Sequence, residues 1–362
     1  MKMKTIFLVI IFLNTLNYSQ NNKIVIEEIL TIGEKDFYFT YPLKVLFDSQ
    51  NRIFVLDRNA TEVFIFNSNG DFLKRIGNQG KGPGEFVEIT NIIFQGNNLI
   101  VFDRAQQRFT IYNNSDVLSK TSNTPQKLMM NPLFIDKLTN ESLFIYDPTN
   151  VDKNNVVFYE ISNDLKNILN FFGEAERIFD LSTPFGRSLK NVENLDLCIL
   201  SSNKIIMSQR FYNGKILLME KIKGGWNYIE RNGFKPNIPA YQEYSLKELN
   251  SLKENKINFM ILSENKSQFL VAMNCISSGI FTFKNKYVFH FFCLSNKKKT
   301  SDLYLNIFDY NGQLISSEKI LQNKALYDFR VLGKDNNENF IVRDLIDGIP
   351  VLKKLRISFI SK

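Results

Sequence analysis

One histidine, three cysteines, one glycine-rich loop and a repeated Asp-Arg pair are the residues of this chain whose types and spacing could do chemistry. His290 lies in an aromatic stretch and is the single histidine among 362 residues. Zinc takes three or four protein ligands, commonly histidine or cysteine, so a histidine-rich metal centre is hard to build. A Ser-His-Asp triad centred elsewhere has no imidazole to use. His290 is therefore expected in the core, with its ring nitrogens satisfied. Cys198, Cys275 and Cys293 all sit in apolar, strand-like stretches and read as small buried thiols. An odd count leaves one unpaired, and a Cys275–Cys293 bridge is the alternative. Asp and Asn are abundant, which keeps a calcium-type oxygen site open.

The glycine loop runs from Ile76 to Phe86, as Ile-Gly-Asn-Gln-Gly-Lys-Gly-Pro-Gly-Glu-Phe. It lacks the Gly-Lys-Ser/Thr ending and the following helix of a phosphate cradle. Its glycines are expected to permit a tight crossover. Lys81 and Glu85 are its candidate ligand contacts.

The Asp-Arg pair belongs to a repeat. Asn51 to Arg58 matches Asn97 to Arg104, 46 residues later, and each copy ends in Asp-Arg. Phe64-Ile-Phe-Asn67 then meets Thr110-Ile-Tyr-Asn113. Weaker copies keep the apolar strand at Ser142–Asp147, Asn203–Arg210, Asn285–Phe291 and Asn339–Asp344. A unit of about 40 to 50 residues with roughly four short strands is the blade of a propeller. Around the first copy, β-rich runs fall at 43–47, 52–56, 62–66 and 72–76, with Asn69-Gly70-Asp71 as a hairpin signal. Asn311-Gly312 repeats that signal.

Six copies predict an all-β, six-bladed β-propeller with four-stranded antiparallel blades. The stretch 23–30 offers a strand before the first copy, and 351–359 offers a third strand for the last. The N-terminal strand is expected to become the outer strand of the final blade and close the ring. Ser245-Leu-Lys-Glu248 is a capping box, followed by a Leu246, Leu249, Leu252 stripe. Residues 240–262 are therefore expected as a helical insertion, packed on the rim or serving as a lid.

Strands in a blade alternate direction, so the ends of all the second strands share one face of the disc. Asp57, Arg58, Asp103, Arg104, Asp147, Arg210 and Asp344 should lie there beside the glycine loop. Two readings are open. Each aspartate bonds backbone amides of its turn, or the set forms a charged ring that binds an anionic or polar ligand.

The N-terminus reads Met1-Lys-Met-Lys, an eight-residue apolar core from Ile6 to Leu13, and a polar exit at Ser19-Gln20. That is the layout of a secretory signal peptide over 1–19, leaving a domain at 20–362. A spanning helix needs about 20 apolar residues, so no transmembrane segment is expected. Without Lys2 and Lys4, 43 basic residues against 37 acidic ones lower the net charge from +8 to +6. The excess is spread along the chain. The one basic run, Lys297 to Lys299, reads as a solvated turn, and no nucleic-acid surface is expected.

The loop 76–86, set between two blades, resembles bacterial six-bladed β-propeller proteins related to NHL and TolB-like repeats. The resemblance implies a propeller over most of 23–360 and an exported protein. Many such proteins carry a lipid on a cysteine, which this chain lacks after its apolar run. The resemblance implies fold better than activity. With no catalytic constellation and no cofactor motif, a monomeric, non-catalytic binding module is the expected function, with a protein, peptide or glycan ligand on one face. The alternative is a divalent-metal-dependent hydrolase or lactonase at the central channel.

Overall fold

A computed structural model describes residues 22–361, apart from 34–36, 59–60, 126–129, 149–154, 180–194, 224, 255–258, 265–266, 297–299 and 325–328. The signal peptide expected at 1–19 and the Lys297–Lys299 run lie outside the described residues.

The apolar run of each repeat becomes the second strand of a blade. These strands are Ile53–Asp57, Asn98–Asp103, Ser142–Tyr146, Lys204–Gln209, Tyr287–Ser295 and Phe340–Ile346. Most are buried at nearly every residue rather than at alternate ones. The cause is two-sided packing, which requires apolar side chains on both faces of a strand. Phe54 and Leu56 of blade 1 pack on Ile92, Leu99 and Val101 of blade 2. Ile53 and Val55 point the other way, onto Ile341 and Leu352 of blade 6. Ile100 and Phe102 meet Ile135 and Leu143 of blade 3, and Phe144 and Tyr146 meet Leu197 and Ile205 of blade 4. A larger cluster joins blades 4, 5 and 6, where the Phe283 and Phe289 rings stack at 4.2 Å and Phe289 reaches Phe340.

Six four-stranded antiparallel sheets result, over 42–76, 89–123, 134–174, 195–232, 275–324 and 330–361. The innermost strands are Pro42–Phe47, Ile89–Gln95, Phe134–Lys137, Leu195–Ser201, Cys275–Phe283 and Arg330–Lys334. Side-chain traps set the hairpins on one face. Asn67 accepts the amides of Asn69 and Asp71, Asn113 those of Ser115 and Val117, and Asp309 those of Asn311 and Gln313. Asp48 and Asp335 hold the inner hairpins of blades 1 and 6 in the same way. These Asx turns supply the register that Asn-Gly and Asp-rich turns announce in sequence.

The last blade has only three strands of its own. Its fourth is Asn22–Ile32, antiparallel to Ile349–Ser361, from Asn22 opposite Ser361 to Ile32 opposite Leu352. The expected closure of the ring is what the chain does. Between blades 4 and 5, the helix near 240–262 is present as a 3-10 turn, Leu246–Glu248, continuing into Leu249–Glu254. The Glu248 carboxylate accepts the Ser245 amide at 2.9 Å, completing the capping box. Strands flank the helix: Tyr241–Tyr244, Ser267–Met273 and Phe259–Glu264 form a separate three-stranded sheet in that order. Aromatic and β-branched residues favour that outcome locally.

Deleting residues 22–32 should leave the Ile349–Ser361 edge bare and uncover Ile26, Leu30 and Ile32. Lost burial alone is worth roughly 5 kcal/mol. Urea unfolding should show a much lower midpoint than that of the undeleted protein. An unchanged midpoint would mean that the ring does not need this strand.

Candidate functional site

The repeated aspartates turn into the scaffold. Asp57 accepts the backbone amides of Thr40 at 2.6 Å, Tyr41 at 2.5 Å and Arg58 at 2.9 Å. Asp103 accepts those of Val87 at 2.7 Å, Glu88 at 3.3 Å and Gln106 at 3.0 Å, and the Gln106 side chain at 2.7 Å. Asp147 accepts the amide of Asn131 at 2.7 Å. Thr40, Val87 and Asn131 each lie just before the inner strand of their blade. The carboxylates thus fasten the chain arriving from the preceding blade to the second strand. Buried amides need such partners, and an ionised acceptor makes the stronger bond. Asp344 accepts the Leu345 amide at 3.0 Å and lies 3.6 Å from the Lys353 ammonium.

The arginines differ among themselves. Arg104 is held by Glu88, and its Nη1 donates to Asn131 at 3.2 Å. The exposed Arg58 stacks 3.9 Å from the Tyr41 ring, whose ring also lies 3.5 Å from the buried guanidinium of Arg343. Arg210 is half-buried, and its Nη1 has no hydrogen-bond partner among the described residues. In the glycine loop, Arg108 donates to the carbonyls of Lys81, Gly82 and Glu85, and Gln106 to those of Gly80 and Glu85. The Glu85 carboxylate accepts the Gly82 amide at 2.7 Å, and the Gly80 amide is bonded to Phe86. The loop is a braced crossover, with Lys81 exposed on it. Gly77 has φ +94°, and a Cβ there would come within 2.7 Å of the Phe86 ring and 2.9 Å of the Thr61 carbonyl.

A cavity of about 420 Å³ runs along the axis, walled by the six inner strands. Register places five of its side chains at one level. Lys44 pairs with Leu56, Asn91 with Phe102, Phe134 with Tyr146, Asp196 with Ser208 and Arg330 with Arg343. Each partner immediately precedes Asp57, Asp103, Asp147, Gln209 or Asp344 in the repeat. Lys44 reaches past blade 2, donating to Asn91 Oδ1 at 2.8 Å and to the Ile135 carbonyl of blade 3 at 2.9 Å. Arg330 reaches the other way, past blade 5, to Asp196 at 2.7 Å. Asp136 and Cys198 stand two residues further along blades 3 and 4. Burial pushes the Lys44 ammonium down to about 8, with Asp136 opposing the shift. Burial likewise raises the Asp136 carboxyl, against the pull of Lys44.

Beside this wall lies a buried polar chain. Ser277 Oγ donates to Asp196 Oδ2 at 2.5 Å and lies 3.0 Å from His290 Nε2. Asn306 Nδ2 donates to the Tyr212 hydroxyl at 2.9 Å and faces His290 Nδ1 at 3.3 Å. The donor count fixes the tautomer: the serine proton is given to Asp196, so Nε2–H donates to Ser277 and Nδ1 accepts from Asn306. Serine, histidine and aspartate are together here, but the serine sits in the middle. An imidazole whose Nε2 carries the proton cannot take one from Ser277, so this is a satisfied core histidine. Burial lowers its pKa from 6.5 to about 4.

All three cysteines are free, with Cys275 and Cys293 buried and Cys198 half-buried in the channel wall. Burial, with Asp136 adding to it, pushes the Cys198 thiol up to about 12. Among the described residues, no three His, Cys, Asp or Glu side chains are grouped to hold a metal ion. No helix among them is long and apolar enough to cross a membrane.

Lys44, Asp136, Asp196, Ser277 and Arg330 were not singled out by the sequence. The signal existed in the repeat frame: a polar residue stands in the inner strands of blades 1, 2, 4 and 6 opposite the residue before the repeat's aspartate or glutamine. Inner strands carry no motif of their own, so only the register reveals it.

Fold and axial cavity define the class: a six-bladed β-propeller. Residues 26–203 match the model of the DUF5128 family, described as a 6-bladed beta-propeller. No curated protein matches significantly. A Bacteroides fragilis protein described as exported is similar at 14% identity and TM-score 0.55, over 92% of this chain and 95% of its own. A DUF4221-family protein from Bacteroides vulgatus is similar at 10% identity and TM-score 0.57, over 94% and 99%. Virginiamycin B lyase from Staphylococcus aureus aligns at 10% identity and TM-score 0.47, over 92% and 99%.

Two measurements check the site. The neutral His290 should make stability fall with acid. Above about pH 6.5 folded and unfolded states both hold the ring neutral, and between there and about pH 4 only the unfolded chain takes up the proton. Relative to a His290→Gln variant, urea unfolding should show the wild type losing on the order of 3 kcal/mol across that window. A constant difference would place the imidazole in solvent. Second, prolonged treatment of folded protein with a small maleimide should modify Cys198 before Cys275 and Cys293, as read by peptide mass spectrometry. Equal labelling would mean that the channel is closed to small molecules.

Proposed function

We propose that this chain is an exported, non-catalytic binding module that seats the polar part of a protein, peptide or glycan ligand in its axial channel. One observation carries the reading. Lys44, Asn91, Asp196 and Arg330 converge at a single level of a cavity large enough for a ligand, where a few placed polar groups among apolar ones fix orientation. The repeated aspartates, by contrast, are occupied in fastening the blades. Arg58, Arg104 and Lys81 are exposed or partly so on the face of the glycine loop, and supply rim contacts to the larger molecule. The likeness of the 76–86 loop to NHL and TolB-like repeats, and the structurally similar Bacteroides fragilis protein described as exported, support export. Residues 1–19 are then the signal peptide.

Native mass spectrometry tests the assignment. Protein incubated with the small-molecule fraction of a spent bacterial culture medium should retain a bound mass. The mass should vanish in a Cys198→Phe variant, which fills the channel, and persist in Arg58→Glu. Retention that follows Arg58 instead would move the site to the rim, and no retention would remove the binding reading. Expression of the full sequence should release a mature form beginning at Gln20, and an intact Met1 in the envelope or medium fraction would refute export by cleavage.

A further inference from the structure

The charges in the channel are unevenly matched. Arg330 is neutralised by Asp196 at 2.7 Å. Lys334 is neutralised by Glu338 at 2.7 Å and donates to the Thr282 carbonyl at 2.8 Å. Two charges remain. Lys44 has only neutral acceptors, the Asn91 side chain and the Ile135 carbonyl, with the Phe134 ring 5.3 Å away. Asp136 accepts one amide, that of Lys137, on Oδ1, and its other oxygen has no partner among the described residues. Each feels the other's field, yet no ion pair joins them. Lys44 is half-buried and Asp136 is open to the channel, so both charges face the cavity with no opposite charge in contact. The two are also close along the wall, because Lys44 bonds to the carbonyl of Ile135, the residue before Asp136. Leu46, Phe47, Ile199 and Leu332 give that wall apolar surface as well.

Resting on the reading of the channel as a binding site, we infer that it takes a small zwitterion of the α-amino-acid type, its ammonium on Asp136 and its carboxylate on Lys44. A lone anion would leave Asp136 unmatched, and a lone cation would leave Lys44 unmatched. A molecule carrying both charges a few bonds apart matches both. The apolar wall accepts an aliphatic side chain, and a cavity of about 420 Å³ has room for one.

Isothermal titration with L-leucine is the test, with 4-methylpentanoate and isoamylamine as analogues that each lack one charge. L-leucine should bind, and each analogue should bind at least tenfold more weakly. Lys44→Met and Asp136→Asn should each weaken L-leucine at least tenfold while keeping the wild-type circular dichroism. If either variant misfolds, Lys44→Gln and Asp136→Ser take its place. Equal binding of 4-methylpentanoate and L-leucine would overturn the inference. So would failure of L-leucine, L-phenylalanine, L-serine and L-glutamate alike. If those four fail but the culture-medium ligand is still lost in Cys198→Phe, the zwitterion is wrong and the channel remains a binding site. If both fail, the channel reading falls with it.

Discussion

Two-sided burial of the second strand in every blade is the constraint on which this protein depends. Ile53 and Val55 serve one neighbour while Phe54 and Leu56 serve the other. A sheet with two apolar faces has no stable existence alone, so every blade needs a blade on each side, and only a closed ring provides that for all six. Closure explains the otherwise odd use of Asn22–Ile32, which belongs to the blade made by the far end of the chain. It also explains the aspartates at the strand ends. The blades pack through dispersion and burial, which are indifferent to sliding along the strand. Asp57, Asp103 and Asp147 add direction by fixing where each incoming segment meets its sheet.

Much of this was legible. An apolar run bounded by Asn and Asp-Arg states that a strand is covered on both faces, and its return after 46 residues states that the covering is done by copies of itself. The Asn and Asp turns declared their hairpins because their side chains make the turn. The insertion was legible only where a local signal existed: the capping box marked Ser245 and Glu248, while the flanking strands carry no comparable punctuation. The side chains that line the channel were not legible. Lys44, Asp136 and Arg330 are ordinary polar residues in short inner strands, and what makes them unusual is arrival at one axis from positions nearly 300 residues apart. The Asp-Arg pairs left two readings open, and of these residues Asp57, Asp103 and Asp147 bond backbone amides at the strand ends.

Blade 5 departs from its companions. Its inner and second strands have nine residues each, and it places Ser277, His290 and Asn306 in an otherwise aromatic interior. Their polar groups are joined in sequence: hydroxyl to carboxylate, imidazole N–H to hydroxyl, amide N–H to imidazole and phenol, with the Asn306 Oδ1 alone of these lacking a partner among the described residues. The chain ends on Asp196, and through it on Arg330 at the cavity wall. A greasy core thus fixes the orientation of a charged group on the axis, which apolar contacts alone would leave free to swing.

The pairing of Asn22–Ile32 with Ile349–Ser361 has a consequence for how the molecule comes into being. The partner of Asn22–Ile32 is Ile349–Ser361, so the ring stays open until that far segment has been made. Until residue 361 is made, the nascent chain holds an unmated edge and an unfinished circle, and such distant pairings are slow to form. The circle therefore shuts late, after its other blades have been made.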